Sequence, residues 1–313
     1  MMMALFATLA PLVVGDAFAA TGLVWTWPDG EARTWHAVAD VTVPKLVEFK
    51  ALNNTDVRIG RFRVELVTTC KKVGLSGKDA FDIKCMIDDV GLQAAPVRPD
   101  AGRVLPVLTE FDDSFRGSFL ELTMTTDGRI KAVGLEGVND RVRRYREIET
   151  VMRLVVVRAI AGLDLQLPKN GDDKGTSWRM IKSLAMNFVA DTGTVGSLEG
   201  VSAITKTDGD IVVIESKATG TLGSGEEYLE NGQPQLSNLY DMNLQSAATF
   251  DTAKGFLLDR TYRVDGNVTA GSLDATGSQG SSYIQELKLT FVAPGTTVQI
   301  EDNAELPPLG TVL

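Results

Sequence analysis

Residues 119–135 read FLELTMTTDGRIKAVGL, and this stretch decides the fold class. Leu120, Leu122 and Met124 alternate with Glu121 and Thr123. Successive side chains of a strand point to opposite faces, so the spacing sets one apolar face against one polar face. Asp127-Gly128 ends the run. That pair tolerates positive φ in a tight turn, so the stretch reads as strand, turn, strand. A sheet with one apolar face and one wet face is the usual antiparallel arrangement.

The same alternation recurs on both sides. Phe62, Val64 and Leu66 alternate with Arg61, Arg63 and Glu65, and Leu287, Leu289 and Phe291 alternate with Glu286, Lys288 and Thr290. Asp29-Gly30, Asp208-Gly209, Asp265-Gly266 and Asn231-Gly232 supply further turn signals. Outer-membrane barrels alternate in the same way. The acidic, mixed-charge composition and a helical segment argue against that alternative.

The helical segment runs from Asn139 to Gly162. Val142, Tyr145, Ile148, Met152, Val155, Ala159 and Leu163 step by three or four, which places them on one face. Asn139 or Asp140 can cap its start and Gly162 can end it. Its apolar run is too short to cross a membrane. Arg141, Arg143, Arg144, Arg146, Arg153 and Arg158 are expected on a solvated face, with an anion- or partner-binding face as the sharper alternative. The expected fold is mainly β with one central helix (α+β), a curved antiparallel sheet or open barrel packed on that amphipathic helix. Segment 218–237 is polar and Gly-rich and reads as a long loop or a mobile hairpin.

Residues 1–19 read as a signal peptide. Met1–Val14 is apolar, and Ala17-Phe18-Ala19 supplies the small-x-small pattern for cleavage after Ala19. No Lys or Arg precedes the apolar run. The remainder, 20–313, is expected as one β-rich domain with strand-rich halves 21–136 and 164–313 around helix 139–162. The expected location is outside the cytoplasm: periplasm, cell envelope or extracellular space. Cys70 and Cys85 fit that location. They flank a plausible hairpin tip holding Gly74 and Gly77, and a bond there is expected. Two reduced thiols on neighbouring strands are the alternative.

Composition excludes several chemistries. A formal net charge of −10 repels nucleic-acid phosphates, so no nucleic-acid partner is expected. One His and two Cys are too few for a His-rich metal site, an all-cysteine zinc site or an iron–sulfur cluster. His36 lies in an alternating strand with no nucleophile motif beside it. There is no GxSxG, HExxH or GxxxxGK[ST] pattern. The turn Asn170–Asp173 lacks the spacing of a calcium loop. No catalytic residue, metal or cofactor is assigned. Trp25 and Trp27 share one face of an expected strand and either line a site or anchor the sheet, and Trp178 is expected to start a strand.

Leu165, Leu167, Pro168, Gly175 and Trp178 form an LxLP…GxxW step. The step resembles one in exported bacterial β-rich proteins of unknown function. The general plan is similar to that of periplasmic lipoprotein carriers, and it implies a curved sheet that wraps a helix and leaves an apolar cavity. The leading functional expectation is non-enzymatic binding of an apolar or amphipathic, lipid-like ligand. The expected lining is Phe62, Val64, Leu66, Leu120, Leu122, Met124, Leu287, Leu289 and Phe291. A structural or protein-interaction module of the cell envelope is the alternative, and a hydrolase ranks third. The chain is not expected to be an integral membrane protein, and any protein partner stays open.

Overall fold

The computed structural model describes residues 23–50, 56–96, 105–139, 146–168, 176–182, 194–224, 227–228, 234–235, 238–271 and 282–300. The N-terminal half forms β1 (Ala32–Lys50), β2 (Asp56–Leu75), β3 (Ala80–Pro96), α1 (Leu105–Phe115), β4 (Phe119–Thr125), β5 (Ile130–Glu136) and α2 (Arg146–Ile160). A 3-10 turn, Ala161–Leu163, follows α2. Then come β6 (Ser177–Lys182), β7 (Thr194–Val195), β8 (Leu198–Asp208), β9 (Ile211–Ser224), β10 (Glu227–Tyr228) and β11 (Pro234–Gln235). The chain ends in β12 (Asn238–Asp251), β13 (Phe256–Gly271) and β14 (Ser282–Val292).

The alternating strands build one large antiparallel sheet. Its order is β5-β4-β3-β2-β1-β14-β13-β12-β9-β8-β6, with β7 also paired to β9 and β10–β11 standing apart. The first and last strands meet in the middle, from Thr34 opposite Val292 to Thr42 opposite Ile284. The two strand-rich halves are therefore continuous. β5 and β6 are the two ends of the sheet and do not pair with each other.

One face of this sheet carries the core. Trp35, Ala37, Ala39 and Val41 on β1 and Phe62, Val64 and Leu66 on β2 are wholly buried. α2 packs on these two strands and buries Val155, Val156, Ala159 and Ile160 against them. Val155, Ala159 and Leu163 thus take the inward face that their spacing predicts. The described helix is Arg146–Ile160; Asn139 donates its N–H to Ser114 O at 3.3 Å, and residues 140–145, the cap candidate Asp140 among them, lie outside those described.

A second helix, α1, is an addition to the expected plan. β3 pairs with β4 only from Ala80 to Met86, then runs on to Pro96. Its open side would leave unpaired N–H groups. α1 covers that side, and Asp112 Oδ1 accepts the Leu92 N–H at 2.7 Å. Leu108, Phe111 and Phe115 turn inward at helical spacing, and Pro106 sits in the first turn, where its missing N–H costs nothing.

The turn signals divide into hits and misses. Asp127-Gly128 joins β4 to β5, and Asp208-Gly209 joins β8 to β9. Asp265-Gly266 lies inside β13 instead. Met242 Sδ occupies the place where a Cβ on Gly266 would go, so this glycine makes room for a side chain and forms no turn. The β12–β13 turn is 252–255, ending in Gly255 at φ 61°. Asn231-Gly232 lies outside the described residues. Segment 218–224 continues β9 and pairs antiparallel with the start of β12, which fits the hairpin alternative and not a loop throughout.

Trp25 and Trp27 are not in a strand. Residues 23–28 cross one end of the sheet without regular structure. Trp25 N–H meets Thr126 O at 2.9 Å in the β4–β5 turn, and Thr26 N–H meets Gly255 O at 2.8 Å in the β12–β13 turn. The Trp25 ring packs edge-on to Phe250 at 5.5 Å, and Trp27 stands 5.6 Å from Trp35. This segment plugs that end with indole. Trp178 lies in β6, next to its first residue, as expected.

Cys70 and Cys85 face each other across β2 and β3 and form a disulfide, with both residues wholly buried. A bond closing about 15 residues is worth roughly 3 kcal/mol by restricting the unfolded chain. Replacing both with alanine lowers the urea unfolding free energy by about that amount, with the far-ultraviolet spectrum of the folded protein unchanged.

Candidate functional site

The residues expected to line a cavity lie on one face of the sheet, on β2, β4 and β14. Phe62, Val64, Leu66, Leu120, Leu122, Met124, Leu287 and Leu289 are all buried. β3 separates the β4 set from the β2 set, and β1 separates β2 from β14. Phe291 is half-buried at the plugged end, against Trp35 at 6.0 Å and Phe256 at 4.9 Å. Their common property is the buried face.

That face also carries charges that the alternation pattern did not single out. Arg260 on β13 is only 1% exposed. Its Nη1 donates to Gly162 O at 2.8 Å and Asp164 O at 2.7 Å, and its Nε donates to Ser246 Oγ at 3.0 Å. The last carbonyls of a helix have no donor of their own. Arg260 supplies one from the sheet and pins the chain as it leaves α2.

Residues 164–168 then run between the two ends of the sheet. Leu167 N–H donates to Asp127 O in the β4–β5 turn at 2.8 Å, and Trp25 Nε1 donates to Leu165 O at 3.3 Å. On the other side, Trp178 Nε1 donates to Gln166 O at 2.9 Å, and Ile181 N–H to Gln166 Oε1 at 3.0 Å. Gly128 in that turn sits at φ +79°, with Leu165 O and the Trp25 ring where a Cβ would stand. Leu165, Leu167 and Trp178 are buried, so these parts of the LxLP…GxxW step form a seam joining the sheet ends; Gly175 lies outside the described residues.

β6 ends at Lys182, whose side chain is 11% exposed. Its Nζ lies 3.4 Å from Asp164 Oδ2 and 4.8 Å from the centre of the Tyr262 ring. β8, β9 and β12 separate β6 from β13 in the sheet, so this ammonium reaches across the inner face. Burial pushes the Lys182 pKa below its ordinary value, Asp164 opposes that shift, and the Arg260 charge adds to it. Burial lowers Arg260 in the same way. The surrounding inner face mixes small, soft and branched side chains: Ser202 and Ser216 share a hydrogen bond of 2.8 Å, and Met180, Met242, Ala218, Ala248, Leu198, Ile214 and Leu244 are buried.

Arg158 corrects the expectation of a solvated arginine face. It is 8% exposed and donates from Nη1 to Gln285 Oε1 at 3.5 Å. Arg153 stays partly exposed and pairs with Glu149 at 2.8 Å. Arg141, Arg143 and Arg144 lie outside the described residues, as do Asn170–Asp173.

The opposite face of the sheet is polar. His36 Nε2 meets Glu65 Oε1 at 2.7 Å, Arg61 Nε donates to Asp40 Oδ1 at 2.7 Å, and Arg263 pairs with Glu286. The hydrogen bond to Asp40 raises the Arg61 pKa. A recess of about 660 Å³ spans β2, β1, β14, β13, β12 and β9 on this face. Arg61, Arg63, Lys217, Arg263 and Lys288 line it against Asp40, Glu215 and Glu286.

No protein-family model and no curated protein matches the chain. No helix among the described residues is long and apolar enough to cross a membrane.

Arg260→Leu strands two carbonyls that are otherwise held by a buried cation. It lowers the unfolding free energy by about 3 kcal/mol or more in denaturant titration. Arg260→Lys recovers only part, because one ammonium cannot copy the forked geometry. Lys182 gives a pH signature. Its folded pKa is lowered from 10.5, so over the interval below 10.5 the unfolded chain binds more protons. The stability of the wild type relative to Lys182→Met therefore rises as pH climbs through that interval, measured by urea unfolding at a series of pH values.

Proposed function

We propose that the protein is an exported, non-enzymatic binding protein for an apolar or amphipathic ligand, held on the inner face of a curved, open sheet. One observation carries the reading. Twelve strands share a continuous inner face, the two ends of the sheet do not pair, and α2 packs on β1 and β2 while leaving the far strands to other cover. A sheet of this size must bury its apolar face against something. Over β12, β9, β8 and β6 that face mixes Leu244, Phe250, Val212, Ile214, Leu222, Leu198 and Trp178 with the smaller or softer Ala218, Ala248, Met180 and Met242, all of them buried. Methionine adapts its shape and recurs at surfaces that accept varied apolar ligands. The bonded cysteine pair fits a location outside the reducing cytoplasm.

A second reading rests on the opposite face. The recess there carries five cations against three carboxylates on a chain of net charge −10, which favours an acidic protein partner in the cell envelope.

The test is native mass spectrometry of the protein purified from the cell envelope, before and after solvent extraction. The expected result is an added lipid-sized mass that extraction removes and that returns when lipid is supplied. A clean mass that takes up no added lipid removes the carrier reading. Loss of a co-purifying protein on Arg63→Glu, with no lipid bound, favours the second.

A further inference from the structure

We propose that Lys182 and Arg260 form a head-group site for an amphipathic anion, a carboxylate or phosphate monoester on a long apolar chain. This rests on the carrier reading and names the ligand class for it. Elsewhere on the inner face the polar groups are matched by neutral pairs such as Ser202 with Ser216, or cation by acceptor, as Arg33 with Glu31 and Arg158 with Gln285. At the end of β6 they are not. Two cations, Lys182 and Arg260, face a single carboxylate, Asp164, among the described residues.

The two cations differ in what they already do. Arg260 spends Nη1 and Nε on Gly162 O, Asp164 O and Ser246 Oγ, which are neutral acceptors. Its positive charge is therefore solvated but not cancelled. Lys182 has one ion pair, at 3.4 Å, and the face of the Tyr262 ring at 4.8 Å. An ammonium has three donors, so donors remain for a ligand. A surplus positive charge in a desolvated place is costly unless an anion joins it. Burial lowers the pKa of both groups, which is the cost expressed on the protein side. A bound anion would remove it.

Position fits the role. Lys182 is the last residue of an end strand, and 11% of its side chain stays open to solvent. An anionic head can reach it from the rim. Met180, Met242, Ala218 and Ala248 on β6, β9 and β12 are buried, so the chain of such a ligand enters by parting these side chains. The acidic exterior does not oppose this, because the surplus positive charge lies inside it.

The experiment measures binding of hexadecanoate, hexadecyl phosphate and hexadecanol to wild type, Lys182→Met and Lys182→Arg by displacement of an apolar fluorescent dye. In the expected result, wild type and Lys182→Arg bind at least one anion about tenfold or more tightly than the alcohol. Lys182→Met binds all three at the alcohol's affinity, with the alcohol unaffected by the change. A merely structural lysine would shift all three ligands together. Preference for the phosphate identifies a lipid phosphate as the source, and preference for the carboxylate identifies a free fatty acid. Equal binding of acid and alcohol by wild type, or discrimination that survives Lys182→Met, overturns the site while leaving the carrier intact. Failure of all three to bind overturns both. If Lys182→Met does not fold, Lys182→Gln carries the same comparison.

Discussion

The hold of Arg260 on the carbonyls of Gly162 and Asp164 is the constraint on which the rest depends. α2 must leave the inner face in one direction, because the chain after it has to lie between β5 and β6. Arg260 sets that direction from the middle of the sheet. Residues 164–168 can then bond the β4–β5 turn on one side and β6 on the other. Twelve strands that do not close by pairing are joined by this short seam. The charge needed for the hold is also what makes the inner face polar at one point.

The fold class was legible because period-2 alternation is a direct consequence of strand geometry, and it survives in β2, β4 and β14 without help from distant residues. The seam was visible as the LxLP…GxxW step, but its job was not, since Trp178 and Leu165 meet their partners only through residues far along the chain. Asp265-Gly266 misled for a related reason. A glycine that makes room for Met242 looks the same in sequence as one that makes a turn. α1 carried its own signal in Leu108, Phe111 and Phe115, yet it is a single short face between strands. Arg260 and Lys182 had no local signature at all. Each sits where the alternation calls for an apolar residue, and only the crossing of β6 toward β13 brings them to Asp164.

The two faces of the sheet handle charge in opposite ways. Outside, Asp40 with Arg61 and Glu65 with His36 pair across neighbouring strands, in partly solvated positions where such pairs contribute modestly. Inside, cations meet backbone carbonyls, a hydroxyl, an amide oxygen and the carboxylates of Glu31 and Asp164. The outer arrangement fixes strand register and keeps the surface wet. The inner one places buried cations at several points, and the Lys182–Arg260 pair is where a proposed ligand would recover the cost.

The pairing of β1 with β14 has a consequence for how the chain is made. β1 is synthesised first and its central partner last, so most of the polypeptide emerges before the middle of the sheet can zip. Until then β1 presents a bare row of amides beside the completed β2. Contacts this far apart in sequence slow folding, and open strand borders invite pairing with other chains. Such a topology favours a chain that is kept extended until β14 is available to pair with β1.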